Sequence, residues 1–400
     1  MSLTPHPTIT RLQVRNYRSL GEVDVSLTPL TVLVGPNGSG KSNLIDVLRF
    51  VRDAITYGLD QAILERNGMS AIRLWSAKGR PYDVHVHLHL EGPDWSGEYG
   101  FTLGSQRRGE YQVKWEKASV VESKTRDGKS QVRSTLEIKK GEWVQMPGEM
   151  KGLPREMRSI SKTTLMLPQV FFTLPFQRMH RFLRDMGFYV IYPNALQLPQ
   201  NPANPYPLDE EGKNLASILR YLKKGKKPEV QEMLTALSKV VGDVSDYSVQ
   251  QVGGYLVTRL HHTPPQDVDR TPTFPLAQES DGTLRMLGIL TALYQTPPRS
   301  LLTIEEPELT IHPGALRVLC DVLQEASLRS QVLVTTHSPE LVSHFQADLL
   351  RVVEKEKGVT QVGPVKESQR KAIVDKLFSP GELMVMEGLQ REIGHSAGRG

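Results

Sequence analysis

One stretch near the start of the chain limits the folds open to it more than any other. It is Gly35-Pro36-Asn37-Gly38-Ser39-Gly40-Lys41-Ser42, which fits the pattern G-x-x-x-x-G-K-[ST]. In front of it, LTVLVG is an apolar β run stopped by glycine. Behind it, Leu44, Val47, Leu48, Val51 and Ile55 recur at helical spacing and mark a buried helix face. The motif therefore joins a strand to a helix, the context in which it carries chemistry. Glycines let backbone N–H groups turn inward around phosphate oxygens, and the helix N-terminus adds positive potential. In such a loop Lys41 reaches the β and γ oxygens of a nucleotide, and the Ser42 hydroxyl ligates Mg2+. The pattern predicts a site for ATP or GTP with Mg2+.

A phosphate loop of this kind needs a second strand that ends in carboxylates, to hold the metal and orient water. Leu301-Leu302-Thr303-Ile304-Glu305-Glu306 supplies one. Glu305, at the end of a buried strand, is the expected Mg2+ ligand, directly or through water. Glu306, turned the other way, is the expected general base. The competing reading is a strand that merely leads into an acidic loop of Glu305, Glu306 and Glu308. A further β run, Val332-Leu333-Val334-Thr335-Thr336, ends at His337, placed to donate to a γ-phosphate.

The remaining pattern divides the chain. ITRLQVRNYRSLGEVDVSL alternates like two short strands around a turn at Gly21. From Tyr82 to about Gln145 alternating stretches predict an antiparallel β region, with Tyr111, Val113 and Trp115 on one face and a hairpin turn at Asp127-Gly128. Residues 151–276 read as a mixed, largely helical insertion. It holds a Pro/Asn-rich loop, then helices marked by Leu215, Ile218, Leu219 and Leu222 and by Val230, Met233, Leu234, Leu237 and Val241. From Ser280 onward, helices alternate with buried strands in the rhythm of a parallel α/β sheet, including a helix from Pro313 and a short one from Pro339. The expected organisation is 1–150 and 277–386 as two parts of one unit, 151–276 as its insertion and 387–400 as a flexible tail.

Composition narrows the function classes. No run of about 18 apolar residues occurs, and the N-terminus reads as no secretory signal, so a cytoplasmic protein without membrane contact is expected. The single cysteine, Cys320, shares an apolar helical stripe with Leu316, Leu319 and Leu323 and reads as a buried structural thiol. The formal charge of +5 permits a nucleic-acid partner without requiring one. Its excess is local, with 14 Lys/Arg against 8 Asp/Glu between Arg107 and Lys162, and a cluster of Arg220, Lys223, Lys224, Lys226 and Lys227. These are a phosphate-contacting surface or a solvated hairpin and helix end. His85, His87 and His89 share one strand face, where alternation favours a half-exposed strand over a metal site. His261-His262 has no partner pattern. Trp75, Trp95, Trp115 and Trp143 read as core or strand-face residues. Gly-x-Ser-x-Gly, the serine-hydrolase elbow, is absent.

In order, GPNGSGKS, ESDGTLR, LLTIEEPE and TTHS resemble the ATP-binding head of ABC ATPases, specifically the RecF/SMC/OLD-like branch. VRNYRSL resembles that branch's entry segment. EEPELTIHP resembles its turn after the acidic pair, with His312 in the D-loop region, and DEEGKNLASIL is similar to part of stand-alone bacterial ATPases of the "AAA family" type without a TOPRIM domain. The resemblance thus covers nearly the whole chain. It implies an α/β, ABC-type P-loop NTPase head, with a parallel sheet core plus an antiparallel β lobe. It also implies that Ser280 and Gly282 form a signature motif reaching across a dimer to the γ-phosphate at the partner's P-loop, with Lys41, Glu306 and His337 catalytic. An ATP-bound homodimer, ATP hydrolysis, and DNA or a separate nuclease or toxin as partner in DNA repair or antiviral defence are what relatives of this kind suggest.

The chain departs from the pattern in several places. Glu305 stands where many relatives carry aspartate, and ESDGT differs from the transporter form LSGGQ. None of Gln61, Gln106 and Gln112 makes a clear Q-loop, and Arg15 and Arg18 compete for an early nucleotide contact. The long separation of Lys41 from Ser280 opposes a transporter subunit, and the proline-bearing insertion lacks the heptads of a full SMC protein. Met386-Glu387-Gly388 only faintly resembles a TOPRIM opening.

Overall fold

The strand and helix around the phosphate motif form where the pattern puts them. A computed structural model describes residues 6–76, 82–105, 110–123, 131–152, 160–170, 173–225, 228–264 and 270–393. In it, Leu30–Val34 is a fully buried strand, and Lys41–Thr56 is a helix burying Leu44, Val47, Leu48, Val51 and Ile55. That helix starts without a side-chain cap, which leaves its first N–H groups open to a ligand.

The strands in chain order are β1 (Thr8–Tyr17), β2 (Leu20–Ser26), β3 (Leu30–Val34), β4 (Val84–Glu91), β5 (Trp95–Ser105), β6 (Tyr111–Ser123), β7 (Gln131–Lys139), β8 (Glu142–Gln145) and β9 (Gly187–Tyr189). After them come β10 (Val244–Val252), β11 (Tyr255–His262), β12 (Thr273–Pro275), β13 (Leu301–Glu305), β14 (Gln331–Thr336), β15 (Leu350–Glu356) and β16 (Val359–Pro364). Among the described residues, 13 strands make one sheet in the order β8-β7-β6-β5-β4-β1-β2-β16-β15-β3-β14-β13-β9, and β10-β11-β12 make a second. From β15 through β3, β14 and β13 to β9 the pairing is parallel. From β2 through β1 to β8 it is antiparallel.

Burial follows pairing. The parallel strands feed two cores, Leu33, Leu301, Leu333 and Val353 on one face and Val32, Ile304, Val334 and Val352 on the other. This is why they read as unbroken apolar runs. In the antiparallel arm β4 buries Val84, Val86, Leu88 and Leu90 and turns its histidines outward. Those imidazoles find polar and ring partners: His85 Nδ1 lies 2.9 Å from Thr102 Oγ1, His87 Nε2 lies 3.2 Å from Glu98, and Trp115 stacks on His85. Among the described residues, no group of three or more His, Cys, Asp or Glu side chains is arranged to hold a metal.

Several local expectations shift. The β1–β2 turn lies at Arg18-Ser19, where Asn16 and Arg18 take positive φ, and Gly21 sits inside β2 because a side chain there would meet Val359 of β16 at 2.6 Å. A bulge in the β5–β6 pairing breaks the Tyr111, Val113, Trp115 face: Val113 points into the core and Trp115 out to the histidines. Trp95 is buried, Trp115 and Trp143 lie on strands, and Trp75 is exposed where the chain has left the sheet. A short 3-10 turn at Pro313–Ala315 precedes the helix Leu316–Ala326, which buries Cys320.

Residues of the 151–276 segment pack into both cores: Leu167, Phe176 and Met179 lie against the antiparallel arm, while Leu219, Met233 and Leu237 join the other side. β9 from the same segment extends the main sheet beside β13. Residues up to 393 fold back on β16, with a bridge between Val365 and Arg391. The Asp127-Gly128 turn, Gln106, Arg107, Lys226, Lys227 and residues 394–400 lie outside the described residues.

Candidate nucleotide site

Parallel register sets the site. Val34 of β3 pairs with Thr336 of β14, and Thr335 pairs with Glu305 of β13, so the loops after three adjacent strands emerge side by side. Open α/β sheets bind ligands at this end of their strands. Gly40 has φ +107, and a Cβ there would lie 2.1 Å from Thr360 Oγ1, so only glycine fits the loop's last turn. Thr360 Oγ1 in turn donates to Ser39 O at 2.8 Å, tying the loop to β16.

Lys41 is buried, and its Nζ donates to Gly35 O at 2.7 Å and Pro36 O at 3.1 Å. Burial pulls its pKa down, while Glu306, Glu308 and Glu305 act against that shift. Ser42 Oγ donates to Glu305 Oε2 at 2.8 Å. Glu306 takes a left-handed φ of 45° and anchors its N–H on Thr335 O at 3.0 Å. Its Oε1 lies 3.1 Å from His337 Nδ1. The structure thus brings together Lys41, Ser42, Glu305, Glu306 and His337. Two buried oxygens here, Ser39 Oγ and Glu308 Oε2, have no hydrogen-bond partner among the described residues, as expected of a polar cradle. The Ser42 hydroxyl and Glu305 carboxylate are hard oxygen donors of the kind that hold Mg2+ beside a phosphate.

Among the described residues, the Ser280 hydroxyl bonds none of these side chains. Ser280 caps the helix Asp281–Tyr294, is exposed, and among the described residues its hydroxyl bonds Thr283, accepting from N–H at 3.1 Å. Gly282 is pressed against Thr310, where a Cβ would lie 2.6 Å from the carbonyl oxygen. His312 caps its own turn by accepting from Gly314 N–H.

Of the competing arginines, Arg15 pairs with Glu22 on the surface. Arg18 reaches Asp46 on the helix Lys41–Thr56 at 3.0 Å. Gln61 bonds Glu65 on a surface helix, and Gln112 lies in β6.

Three residues at the site escaped the motif reading. Arg285, buried in the helix that Ser280 caps, donates to Ile191 O at 2.7 Å, Glu306 O at 2.7 Å and Glu305 O at 3.3 Å. Arg49 lies 3.9 Å from Glu305 and 3.5 Å from Glu210, which Arg52 also holds at 2.9 Å. The signal for Arg285 was a lone charge in the apolar run TLRMLGIL. For Arg49 and Arg52 it was an i, i+3 pair behind the P-loop.

The buried carboxylate Glu308 accepts from Thr336 Oγ1 at 2.5 Å, and that oxygen accepts from Ser338 N–H at 3.0 Å. Burial raises the Glu308 pKa. The bonds hold the turn that carries His337.

Comparison with known proteins agrees with this geometry. Residues 164–343 match a family model described as "AAA domain, putative AbiEii toxin, Type IV TA system", and residues 8–72 match one described as "AAA ATPase domain". Over 104 residues the chain is 28% identical to the DNA replication and repair protein RecF of Corynebacterium jeikeium, covering 25% of this chain and 24% of that protein. Over 43 residues it is 46% identical to an OLD nuclease of Thermus scotoductus, covering 11% of this chain and 8% of that one. The matches therefore span about a quarter or less of these curated relatives. A solved Smc head bound to the C-winged helix domain of ScpA has the same fold, with a TM-score of 0.51 at 13% identity over 91% of this chain and 99% of that one. With its P-loop and acidic strand set in a head-type sheet, the chain is similar to the RecF/SMC/OLD-like branch of ABC-type ATPases.

Proposed function

We propose that this chain binds ATP with Mg2+ and hydrolyses it as a switch that closes two copies of itself. One observation carries the reading: Lys41, Ser42, Glu305, Glu306 and His337 meet at the ends of three adjacent strands, while Ser280 faces outward from an exposed helix end. Gly35, Pro36, Asn37, Gly38, Ser39 and Gly40 wrap the phosphates with backbone N–H groups, and Lys41 exchanges its loop carbonyls for phosphate oxygens. Ser42 and Glu305 would hold Mg2+, which would offset charge on the phosphates. Glu306 takes the proton of the attacking water, and His337, in contact with that carboxylate through Nδ1, stands beside the γ-phosphate. Ser280 and Gly282 of the second copy complete the site.

In this scheme residues 1–150 and 277–386 make the head, and closure moves the 151–276 segment with it. The load is DNA or a separately encoded nuclease or toxin, in repair or antiviral defence in the cytoplasm. The stretches shared with RecF and an OLD nuclease, and the toxin named in the matching family description, support that choice. Steady-state phosphate release tests the chemistry. The rate per chain is expected to rise with protein concentration and to fall at least about 100-fold in Glu306→Gln. Wild-type turnover in that variant contradicts the assignment.

A further inference from the structure

His262, at the end of β11, is buried, and its imidazole lies between two acids from different elements. Nε2 is 2.9 Å from Glu279 Oε1, and Nδ1 is 3.1 Å from Asp243 Oδ2. Asp243 follows the helix Pro228–Val241, and Glu279 immediately precedes Ser280. The Phe274 ring of β12 closes the third side, 5.3 Å away edge-on. Glu279 has only 8% of its side chain exposed, so its carboxylate needs a buried partner, and His262 supplies one. Burial alone would lower the imidazole pKa, but the bond to Glu279 and the neighbouring Asp243 carboxylate outweigh it and leave the ring more basic than an ordinary histidine. The pairing joins the β10-β11-β12 sheet to the residue in front of the helix end that Ser280 caps. A few residues on, Arg285 bolts the same helix to the carbonyls of Glu305 and Glu306.

We infer that His262 is the positioning residue through which the small sheet fixes the Glu279-Ser280 turn, and so sets how the signature face is offered to a second copy's nucleotide. The inference rests on the reading that Ser280 acts across a dimer. The small sheet thereby becomes a control element, since any partner that shifts β10-β11-β12 alters hydrolysis at the other subunit's P-loop and leaves this subunit's own P-loop unchanged. His262 does not touch the nucleotide.

Mixed dimers test this. His262→Ala is expected to lose ~10–100-fold in turnover, the scale of a misplaced catalytic contact. Its affinity for a fluorescent ATP analogue, measured on the isolated subunit, should stay within about twofold, because that analogue meets only the P-loop side. Lys41→Ala is inactive for the opposite reason. Mixing the two restores one intact composite site per heterodimer, so the mixture should regain turnover that neither variant has alone, up to about half of the wild-type rate, since each mixed dimer has one competent site of two.

Mixing Lys41→Ala with Ser280→Arg is the control for the dimer reading itself. If that control fails to regain activity, the reading beneath the inference falls. If the control succeeds and the His262→Ala mixture stays inactive, or if His262→Ala alone turns over at the wild-type rate, the inference is overturned. His262→Gln, which keeps a donor toward Glu279, is expected to retain more turnover than His262→Ala. Equal loss in the two variants also contradicts a positioning role.

Discussion

At the scale of single residues, the site was legible wherever chemistry is local in sequence. Lys41 and Ser42 are fixed by the loop that carries them. Glu305 ends the apolar strand β13, Glu306 follows it and His337 follows β14, and parallel register brings them together. Gly40 shows how strictly the loop is specified. Alanine there meets a left-handed φ of 107° and a 2.1 Å clash with Thr360 Oγ1, so Gly40→Ala should abolish nucleotide binding and lower stability by ~1–2 kcal/mol or more, read by titration and thermal melting. Retained affinity would contradict that geometry.

Arg285, Arg49 and Arg52 showed in the sequence only as charges among apolar residues or at helical spacing, because their partners lie far away in the chain: Arg285 serves carbonyls at Ile191, Glu305 and Glu306. Arg285→Ala leaves buried acceptors unpaired. It should cost about 3 kcal/mol in denaturant unfolding, along with turnover. An unchanged midpoint would sink this account of the helix.

At the scale of elements, periodicity located the buried strands and the helices that cover them. It failed where one residue changes a face or a partner. The bulge in β6 could not be read from alternation, which continues through Trp115 while the backbone slips. The 151–276 segment read as an insertion because its helices are amphipathic, yet their apolar faces complete both cores of the main sheet. Glu116 of β6 is a device of this kind: fully buried, it accepts from Met166 N–H at 2.6 Å and Leu167 N–H at 2.9 Å, pinning that segment to the arm.

Burial pushes the Glu116 carboxyl up to about 7, against the opposing bonds from Leu167, Met166 and Tyr99. An unfolded chain loses the proton near the ordinary value of 4.5, whereas the folded chain keeps it to about 7. The folded state therefore binds more protons between those values, and the group's contribution to stability falls by about 3 kcal/mol as pH rises through that window. Melting curves of wild type and Glu116→Gln across this range should differ in slope. A pH-independent offset would contradict the assignment.

At the scale of the whole molecule, the proposed shared site requires a contact that this chain offers outward, at the exposed helix end capped by Ser280. The basic cluster near Lys223 is a weaker candidate for DNA than its sequence suggested, because Lys223 is held at 2.7 Å by Asp246 and lies over Tyr247. If DNA is the load, duplex affinity should fall steeply with salt, and Arg220→Gln with Lys224→Gln should reduce that slope by about 2. An unaltered slope would move the contact elsewhere.

The most direct test of the central claim is light scattering on Glu306→Gln, with and without ATP and Mg2+. Two copies closing on nucleotide predict that the mass doubles only when ATP is present, and that adding Ser280→Arg or Lys41→Ala abolishes the doubling. A chain that binds ATP tightly and keeps the same mass would contradict the shared site.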